Sequence, residues 1–266
     1  MAFFVQYTAQ DYLYEKISEN LYTVIMQITS LQHSLVKHWV SLRKDSAYRK
    51  ESKTLLLIGE KMIQEFPFPI KCLISKEPTH LKATTQYLVT EEILQKIGGL
   101  GDFGGLLAEV DLPPPQNVEE KNFVLILDQI QDPGNLGTLL RTALALGWEG
   151  VMATPGTADF FNDKALRASQ GAIFRLPYAY KTPEEIVSWS QKKQIPIWLA
   201  DTEGSPLREK TFQTPLALVL SNEGQGLRAW AKTVGQKISI PLQNKVESLN
   251  VAAAGAILLY EIKGFC

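Results

Sequence analysis

Three polar segments, each placed directly after an apolar run, carry the residue types best able to do chemistry. In the first of them, Asn135, Gly137 and Arg141 follow the apolar run Phe123–Leu127 and have the spacing Asn-x-Gly-x-x-x-Arg. A strand, a turn rich in glycine and asparagine and the start of a helix together form a site for an anionic or nucleotide-like ligand. No G-x-G-x-x-G sequence follows the strand, so this segment does not predict a dinucleotide cradle.

Two further segments supply carboxylate, hydroxyl and amide side chains. The second segment, 220–227, reads Leu-Ser-Asn-Glu-Gly-Gln-Gly-Leu and contains Glu223. The third segment, 240–250, contains Ser248 and Asn250 and leads into a run of small residues that starts a helix. All these side chains can donate or accept hydrogen bonds, so each segment is a candidate part of a binding site.

Each of these side chains also has an ordinary structural interpretation. Asn135 could cap the helix that follows it, and Arg141 could form a surface salt bridge. Glu223 could be a turn residue, and Ser248 could be another helix cap. The functional interpretation therefore depends on the three segments occurring together, in order, and each after a strand.

Alternating strands and helices predict how residues 118–266 bring the three segments together. The strand candidates are Phe123–Leu127, Gly150–Ala153, Pro196–Ala200, Leu216–Leu220 and Lys237–Ile240. The helix candidates are Leu136–Leu146, Lys164–Ser169, Pro183–Lys193, Leu227–Val234 and Leu249–Ile262. Apolar runs without alternation are typical of strands buried on both faces, so we predict an α/β fold with a doubly wound, mostly parallel sheet. Ligands of such sheets bind beyond the carboxyl ends of the strands, where the polar segments lie.

The sequence before residue 118 predicts a smaller domain. Three consecutive prolines, 113–115, predict an extended connector, and we place the domain boundary there. Residues 1–28 are predicted to form a helical extension, because apolar residues recur there at helical spacing. Those apolar residues are Leu13, Ile17, Leu21, Val24 and Ile25. Residues 29–112 are predicted to form a small α/β domain, with strands at Thr54–Ile58, Ile70–Ser75 and Gly105–Val110 and a helix at Glu91–Ile97.

Composition narrows the class of protein. The chain has 266 residues, of which 45% are hydrophobic and 21% charged, as in ordinary globular proteins. A net charge of −1 gives no overall nucleic-acid signal, so contact with RNA or DNA requires a local basic patch. Two cysteines and three histidines without ligand spacing predict a reduced protein without a metal site. No apolar run is long enough to span a membrane and no basic leader is visible, so we expect a cytoplasmic protein.

In combination, the polar segments resemble the motifs of the SpoU (TrmH) family of S-adenosylmethionine-dependent RNA ribose 2′-O-methyltransferases. The first family motif is similar to residues 135–141, and the second is similar to residues 222–227. The third motif is similar to residues 240–241 followed by residues 248–251, and a further family-like stretch covers residues 164–172. Three motifs in the family's order make a chance match improbable.

The resemblance covers the whole second domain and extends weakly into the first, over residues 31–65. The chain departs from the family's usual pattern at three positions. Ser221 and Asn244 stand where the family usually has glycine, and Asp163 stands where it often has proline. Ser221 and Asn244 lie in loops that would surround the cofactor, so they affect the expected shape of those loops.

The resemblance implies a fold, a cofactor and a set of site residues. The fold would be a trefoil-knotted methyltransferase domain that forms a homodimer, and the cofactor would be S-adenosylmethionine, with no metal. The catalytic residues would be Arg141, Asn135, Glu223, Ser248 and Asn250. The cofactor-binding residues would be Ala200, Asp201, Leu220, Ser221, Asn222, Gly224, Gly226, Ile240, Leu242, Ser248 and Leu249.

The implied chemistry has two requirements. The methyl group on the cofactor's sulfonium is already activated, so the enzyme has to align it with the ribose hydroxyl and assist loss of the hydroxyl proton. The family's proposed mechanism gives the second task to the arginine that matches Arg141. Because arginine stays protonated in proteins, contact with a substrate phosphate is the alternative role. Asn135 would orient Arg141 or the hydroxyl, and Glu223 would hold the guanidinium.

RNA binding requires a positive surface, and the basic residues within 37–61 are the best local candidate. The predicted RNA contacts are Lys37, Arg43, Lys44, Arg49 and Arg167. A solvated helix face is the alternative for any single lysine. Family members with a leading domain of this type often act on large-subunit ribosomal RNA, so ribosomal RNA is favoured over tRNA. A non-catalytic RNA-binding member of the fold, or a different nucleotide-dependent enzyme such as a dehydrogenase, are the competing hypotheses.

Overall fold

The protein folds as two compact units. The structure is a computed structural model that describes residues 12–18, 21–99, 104–222, 224, 226–243 and 246–264, with side chains described from residue 24 onward. The units comprise Met1–Pro113 and Pro114–Cys266, so the division falls within the proline run 113–115. Within these described residues, each unit has its own sheet of six strands.

The described residues of the first unit form a mixed sheet with four helices. Its strands are β1 (Tyr12–Ser18), β2 (Leu21–Ile28), β3 (Thr54–Ile58), β4 (Ile70–Ser75), β5 (Thr85–Val89) and β6 (Leu106–Asp111). Its helices are α1 (Ser34–Lys44), α2 (Ser46–Ser52), α3 (Glu60–Gln64) and α4 (Glu91–Gly98). The sheet order is β1-β2-β5-β4-β6-β3, in which β5 is parallel to both of its neighbours and the remaining pairs are antiparallel.

The predicted helical extension over residues 1–28 is wrong for its described part. Residues 12–18 and 21–28 form β1 and β2, which pair antiparallel with Leu13 opposite Ile25, and β2 pairs with β5. The spacing of four between Leu13, Ile17, Leu21 and Ile25 suits a helix, but it is also a multiple of the strand period of two. The aromatic and β-branched residues of this segment favour strands, and pairing with the sheet decided between the two periods.

The second unit is a parallel sheet with five helices in its described residues. Its strands are β7 (Phe123–Asp128), β8 (Gly150–Ala153), β9 (Tyr178–Tyr180), β10 (Ile197–Pro206), β11 (Leu216–Ser221) and β12 (Gly235–Ser239). Its helices are α5 (Pro133–Ala145), α6 (Asp163–Ser169), α7 (Pro183–Lys193), α8 (Ala229–Lys232) and α9 (Val251–Gly264). The order is β12-β10-β11-β7-β8-β9, and every neighbouring pair is parallel. The predicted parallel α/β fold is confirmed, although the short edge strand β9 was not predicted.

Helices cover both faces of this sheet. On one face, Ile186 and Trp189 of α7 and Ala231 of α8 pack into the same buried cluster as alternate residues of the central strands. On the other face, α9 packs against α5 and β11. A Cβ added to Gly255 of α9 would lie 2.3 Å from Leu139 Cδ2, so a larger residue there would require the buried Leu139 side chain to move. Among the helices of the described ranges, none combines the length and the apolarity that crossing a bilayer requires.

Candidate active site

A cavity lies at the carboxyl-end edge of the parallel sheet. It has a volume of about 350 Å³, within the range of small-molecule sites. The residues that line it come from the middle of β10, the end of β11 and the segment after it, the end of β12 and the segment after it, and the first half of α9. They are Ala200, Asp201, Thr202, Leu220, Ser221, Asn222, Gly226, Leu227, Ile238, Ile240, Leu242, Glu247, Ser248, Leu249, Val251, Ala254 and Leu258.

Ten of the eleven predicted cofactor-binding residues line this cavity, and Gly224 is the exception. The structure thus brings the second and third polar segments together with the middle of β10. The predicted cofactor-binding set did not include Val251, Ala254 and Leu258 of α9, which also line the cavity, although the third motif reaches residue 251. Their spacing places them on one face of a helix, so helical periodicity could have identified them.

The cavity combines apolar walls with a few polar groups. Burial alone would raise the pKa of Asp201, but the backbone N–H of Glu203 and the ammonium of Lys237 hold that pKa below its ordinary value. Lys237 Nζ lies 2.9 Å from Asp201 Oδ2, so Asp201 is charged and paired. The Ser221 hydroxyl is buried and has no hydrogen-bond partner among the described residues. An unpartnered hydroxyl beside apolar walls fits a ligand that has both apolar and hydrogen-bonding atoms.

Asn222 shapes the segment that follows β11. Its backbone N–H donates to the carbonyl of Asp128 (3.2 Å), and its side-chain N–H donates to the carbonyl of Gln129 (3.1 Å). Its side-chain oxygen accepts from Gly224 N (2.8 Å), and its carbonyl accepts from Gly226 N (3.0 Å). Gly226 has a φ of +62°, a conformation that favours glycine. The predicted catalytic residue Glu223 lies outside the described residues.

The first and third polar segments meet through two asparagines. Asn250 Nδ2 donates to Asn135 Oδ1 at 3.1 Å, which joins residues 115 positions apart in the sequence. Asn250 Oδ1 also accepts from the backbone N–H groups of Ala252 and Ala253, at the start of α9. The arrangement therefore fixes the side chain of Asn135 from the opposite segment.

Asp132, rather than Asn135, caps α5. Its Oδ1 accepts from Asn135 N at 2.8 Å, and Pro133 occupies the first helical turn. The predicted start of this helix at Leu136 was three residues late, because Asp132-Pro133 is itself a helix-start signal. Lys164 Nζ, which lies 2.8 Å from Asp132 Oδ2, lowers the pKa of Asp132 together with the backbone N–H of Asn135. Asp132 therefore supplies the cap of α5, and the side chain of Asn135 bonds to Asn250 instead.

Arg141 projects from α5 as an exposed side chain. Within the described ranges it forms no ion pair and no hydrogen bond, so the alternative of a surface salt bridge finds no support there. It does not line the cavity. Its position on the same helix as Asn135 is consistent with a role toward a second ligand beside the cavity, and that role stays a prediction.

The structure corrects one predicted RNA contact. Arg49 is only 2% exposed, and its Nη1 donates to the carbonyls of Leu42 (2.6 Å) and Arg43 (3.2 Å) at the end of α1. Its guanidinium satisfies helix carbonyls, so Arg49 is not available to a phosphate. Arg43 is half-buried, whereas Lys37 and Lys44 are exposed.

Arg167 is exposed and pairs with the adjacent turn of its own helix. Its Nη2 lies 3.0 Å from Asp163 Oδ2, an i,i+4 ion pair on α6. Exposed pairs of this kind contribute little stability and exchange readily with other anions. Arg167 therefore stays a prediction as a phosphate contact.

Sequence reasoning missed one ion pair beside the cavity, in which the carboxylate is buried and the arginine is partly exposed. Asp128, at the end of β7, is 1% exposed and pairs with Arg228, which directly follows the cavity-lining Leu227. Hydrogen bonding to Asp128 raises the pKa of Arg228. No local pattern indicates this pair, since its members are 100 positions apart.

Comparison with known proteins decides the family. The family model described as the SpoU rRNA Methylase family matches residues 122–260, which is most of the second unit. The chain belongs to this family. The 23S rRNA (guanosine(2553)-2′-O)-methyltransferase RlmP of Bacillus subtilis is 32% identical over 248 residues, covering 90% of this chain and 99% of that protein.

Two solved structures of SpoU-family proteins share the fold. A TrmH-family protein from Porphyromonas gingivalis is 30% identical, with a TM-score of 0.77 over 88% of this chain and 98% of that one. The SpoU methyltransferase AviRb from Streptomyces viridochromogenes, in complex with AdoMet, is 24% identical, with a TM-score of 0.77 over 88% and 98% of the two chains. The predicted family is confirmed, and with it the prediction of an S-adenosylmethionine-dependent RNA 2′-O-methyltransferase.

Proposed function

We propose that this SpoU-family protein transfers the methyl group of S-adenosylmethionine to a ribose 2′-hydroxyl of 23S rRNA. The observation that carries the proposal is the meeting of all three polar segments at one edge of the sheet. The second and third segments line a cavity, and the third holds Asn135 of the first through the 3.1 Å bond from Asn250. The Bacillus subtilis relative, which matches along nearly its whole length, is named a 23S rRNA methyltransferase.

The cavity's residues fit the cofactor. Leu220, Ile240, Leu242 and Leu249 would supply apolar walls for a planar base, and nearby backbone groups would supply its polar contacts. The Ser221 hydroxyl offers one further hydrogen bond. When bound, the cofactor supplies an activated methyl group on a sulfonium. The chain's own contribution is to hold it in one orientation and to exclude water.

Arg141 and its neighbours would hold the substrate. We assign Arg141 to a phosphate of the RNA and to the negative charge that develops on the ribose oxygen, because a guanidinium that stays protonated can stabilise charge but cannot accept the proton. Asn135, held by Asn250, would orient the hydroxyl. Ser248 and Glu223 complete the proposed set, the first from the cavity wall and the second beside Asn222 in the sequence.

We expect Ser221→Ala to raise the Kd for S-adenosylmethionine about fivefold, because one buried hydrogen bond contributes roughly 1 kcal/mol. Isothermal titration calorimetry measures this directly. The matched control is Ser190→Ala, since Ser190 is also a buried serine of this unit but already donates to the Ile195 carbonyl at 2.8 Å. An unchanged Kd for Ser221→Ala would exclude contact between this hydroxyl and the cofactor.

The first unit supplies the proposed RNA-binding surface on α1. Trp39 Nε1 donates to Glu109 Oε2 at 2.9 Å, and His38 Nε2 lies 3.2 Å from Glu109 Oε1, so this side of α1 is fixed against β6. Lys37 and Lys44 are left exposed on the same helix. Exposed lysines on a rigid helix can contact RNA phosphates without sequence preference.

We expect the double variant Lys37→Glu/Lys44→Glu to weaken RNA binding at every salt concentration and to flatten its salt dependence. Each lost phosphate contact should reduce the slope of log K against log salt by about 0.7–0.9. Filter binding to a 23S rRNA transcript over a salt series measures both effects. Lys82→Glu/Lys192→Glu is the control, because it changes the net charge equally at two exposed lysines outside α1. Equal effects of the two double variants would contradict a specific α1 surface.

Assembly, topology and location complete the proposal. The face of α9 turned away from the cavity exposes Ala253, Ile257 (40% exposed) and Tyr260 (64% exposed), an apolar stripe suited to a second copy of this chain. We propose a homodimer through α9, which light scattering of the intact chain tests. A knotted second unit, a substrate-binding role for the first unit and a cytoplasmic location belong to the same proposal.

The direct test maps ribose methylation in cells with and without the gene. Loss of one 2′-O-methyl site in 23S rRNA would support the proposal and name the nucleotide. Loss of a tRNA site would move the substrate to the alternative class. If no site changes in either RNA, while the purified protein still binds S-adenosylmethionine, the protein is a non-catalytic member of the fold.

A further inference from the structure

Asp128 is a buried carboxylate with an unusually complete set of partners. It is 1% exposed, and Arg228 Nε donates to its two oxygens at 3.1 and 3.0 Å, with a further bond from Arg228 Nη2. Thr154 Oγ1 donates to Oδ1 at 2.6 Å, and Trp230 Nε1 lies 3.2 Å from Oδ2. A carboxylate out of water persists as a charge only with such compensation.

Contacts with Asp128 and with the next residue hold the segment that forms one wall of the cavity. Arg228 directly follows Leu227, which lines the cavity. At the other end of the segment, Asn222 lines the cavity and donates to the carbonyls of Asp128 (3.2 Å) and Gln129 (3.1 Å). The segment from Asn222 to Arg228 is therefore attached at both ends to the end of β7.

The same strand end also leads to the substrate side of the site. Asp128 is four residues before Asp132, which caps α5, the helix that carries Asn135 and Arg141. Between Asp128 and Asp132 in the sequence, the backbone N–H of Gln129 donates to Thr154 Oγ1 (3.3 Å). The buried Asp128 carboxylate thus holds the cavity wall at the end of β7. The helix that carries Arg141, α5, begins shortly after the same strand end.

We propose that the Asp128–Arg228 pair is a positioning device that sets the cofactor wall in its binding geometry before the cofactor arrives. This inference rests on the proposed function, because it assumes that the cavity takes S-adenosylmethionine. Neither side chain lines the cavity, so the pair acts through Asn222, Gly226 and Leu227. A wall that is fixed in advance raises affinity, since less ordering remains to be done on binding. A buried ion pair is by contrast a weak source of fold stability.

Comparison of a single variant with a double variant separates the positioning role of the pair from its effect on stability. Arg228→Met leaves the buried Asp128 carboxylate without its counter-charge, so both melting temperature and cofactor affinity should fall. Asp128→Asn/Arg228→Met removes the buried charge as well, so the melting temperature should recover relative to Arg228→Met. The Kd for S-adenosylmethionine should stay raised at least about fivefold in the double variant, because the wall is no longer anchored. The kcat at saturating cofactor should remain within about twofold of the wild-type value, since the pair touches no reacting atom.

A conservative variant and a remote control complete the experiment. Arg228→Lys keeps the charge but loses the bidentate geometry, so its Kd should lie between those of wild type and the double variant. Lys193 of α7 forms a surface ion pair with Glu120 (2.7 Å). Lys193→Met removes this pair and should leave the Kd unchanged. Calorimetry with S-adenosylmethionine alone and thermal unfolding of the intact chain supply both readouts.

The outcomes are distinct. If the wild type binds S-adenosylmethionine and the double variant has the same Kd, the positioning role is wrong but the proposed function stands. The positioning role is also wrong if the Kd rises only in those variants whose melting temperature falls. Absence of cofactor binding in the wild type overturns the proposed function and this inference with it. A raised Kd with recovered melting temperature in the double variant supports the inference.

Discussion

Arg141→Lys should lower the single-turnover rate of methyl transfer by about 100-fold or more, the effect of removing one preorganised hydrogen-bond donor from a developing oxyanion. Lysine keeps the positive charge, but it cannot make the two parallel hydrogen bonds with which arginine holds a phosphate. Arg141 is exposed and does not line the cavity, so cofactor affinity should be unchanged. Transfer of labelled methyl from S-adenosylmethionine to the RNA substrate measures the rate, and calorimetry measures the affinity.

Arg208→Lys is the matched control for this prediction. Arg208 is another exposed arginine of the second unit, and it lies outside the three motif segments. Its replacement should leave both rate and affinity close to those of the wild type. Normal methyl transfer by Arg141→Lys would exclude Arg141 from both the phosphate contact and the family's proposed proton-removing role.

The second large effect concerns the glycine of the first motif. We expect Gly137→Ala to lower the free energy of unfolding by about 1–3 kcal/mol, the usual cost of overpacking. A Cβ at Gly137 would lie 2.4 Å from the carbonyl oxygen of Ala165, 2.6 Å from Ala168 Cβ and 2.9 Å from Ser169 N. These atoms belong to α6 and are mostly backbone, so the added methyl group forces α5 to move away from α6. Methyl transfer should fall as well, because α5 carries Asn135 and Arg141.

Urea unfolding of the intact chain measures this change. Gly264→Ala in α9 is the control, because a Cβ there would meet no atom within 4 Å. Alanine favours a helix over glycine by about 1 kcal/mol, so the control should be neutral or slightly stabilising. If Gly137→Ala is no less stable than Gly264→Ala, the close approach of α5 to α6 does not constrain this position.

The sequence predicted the second unit well because its signals are local. Continuous apolar runs mark β7, β8 and β11, and the Thr182-Pro183 start with Glu185 marks α7, whose capping box the structure shows. The first unit was harder. The apolar spacing in residues 13–25 is compatible with both a helix and a strand, and only the pairing of β1 with β2 and of β2 with β5 decided for strands. The edge strand β9 has three residues, too few for a pattern.

Residue roles were predicted less well than residue positions. Asn135 was identified as important, but the sequence left open whether it caps the helix, because Asp132 and Asn135 are both good capping residues. Arg49 looks like any basic residue of a helix in the sequence, yet it bonds to the carbonyls at the end of α1. Gly137 was read as part of a ligand turn, whereas the structure shows it at a helix contact.

The sequence by itself determined the order of the polar segments, the parallel sheet that carries them and the family, since each depends on residues that are neighbours along the chain. Only the tertiary structure decided that Asn250 bonds to Asn135, and that Asp128 pairs with Arg228. The physical reason is the separation of these partners along the sequence. These partners are 115 and 100 positions apart, and no local pattern of hydrophobicity or capping records a contact that exists only after the sheet has formed.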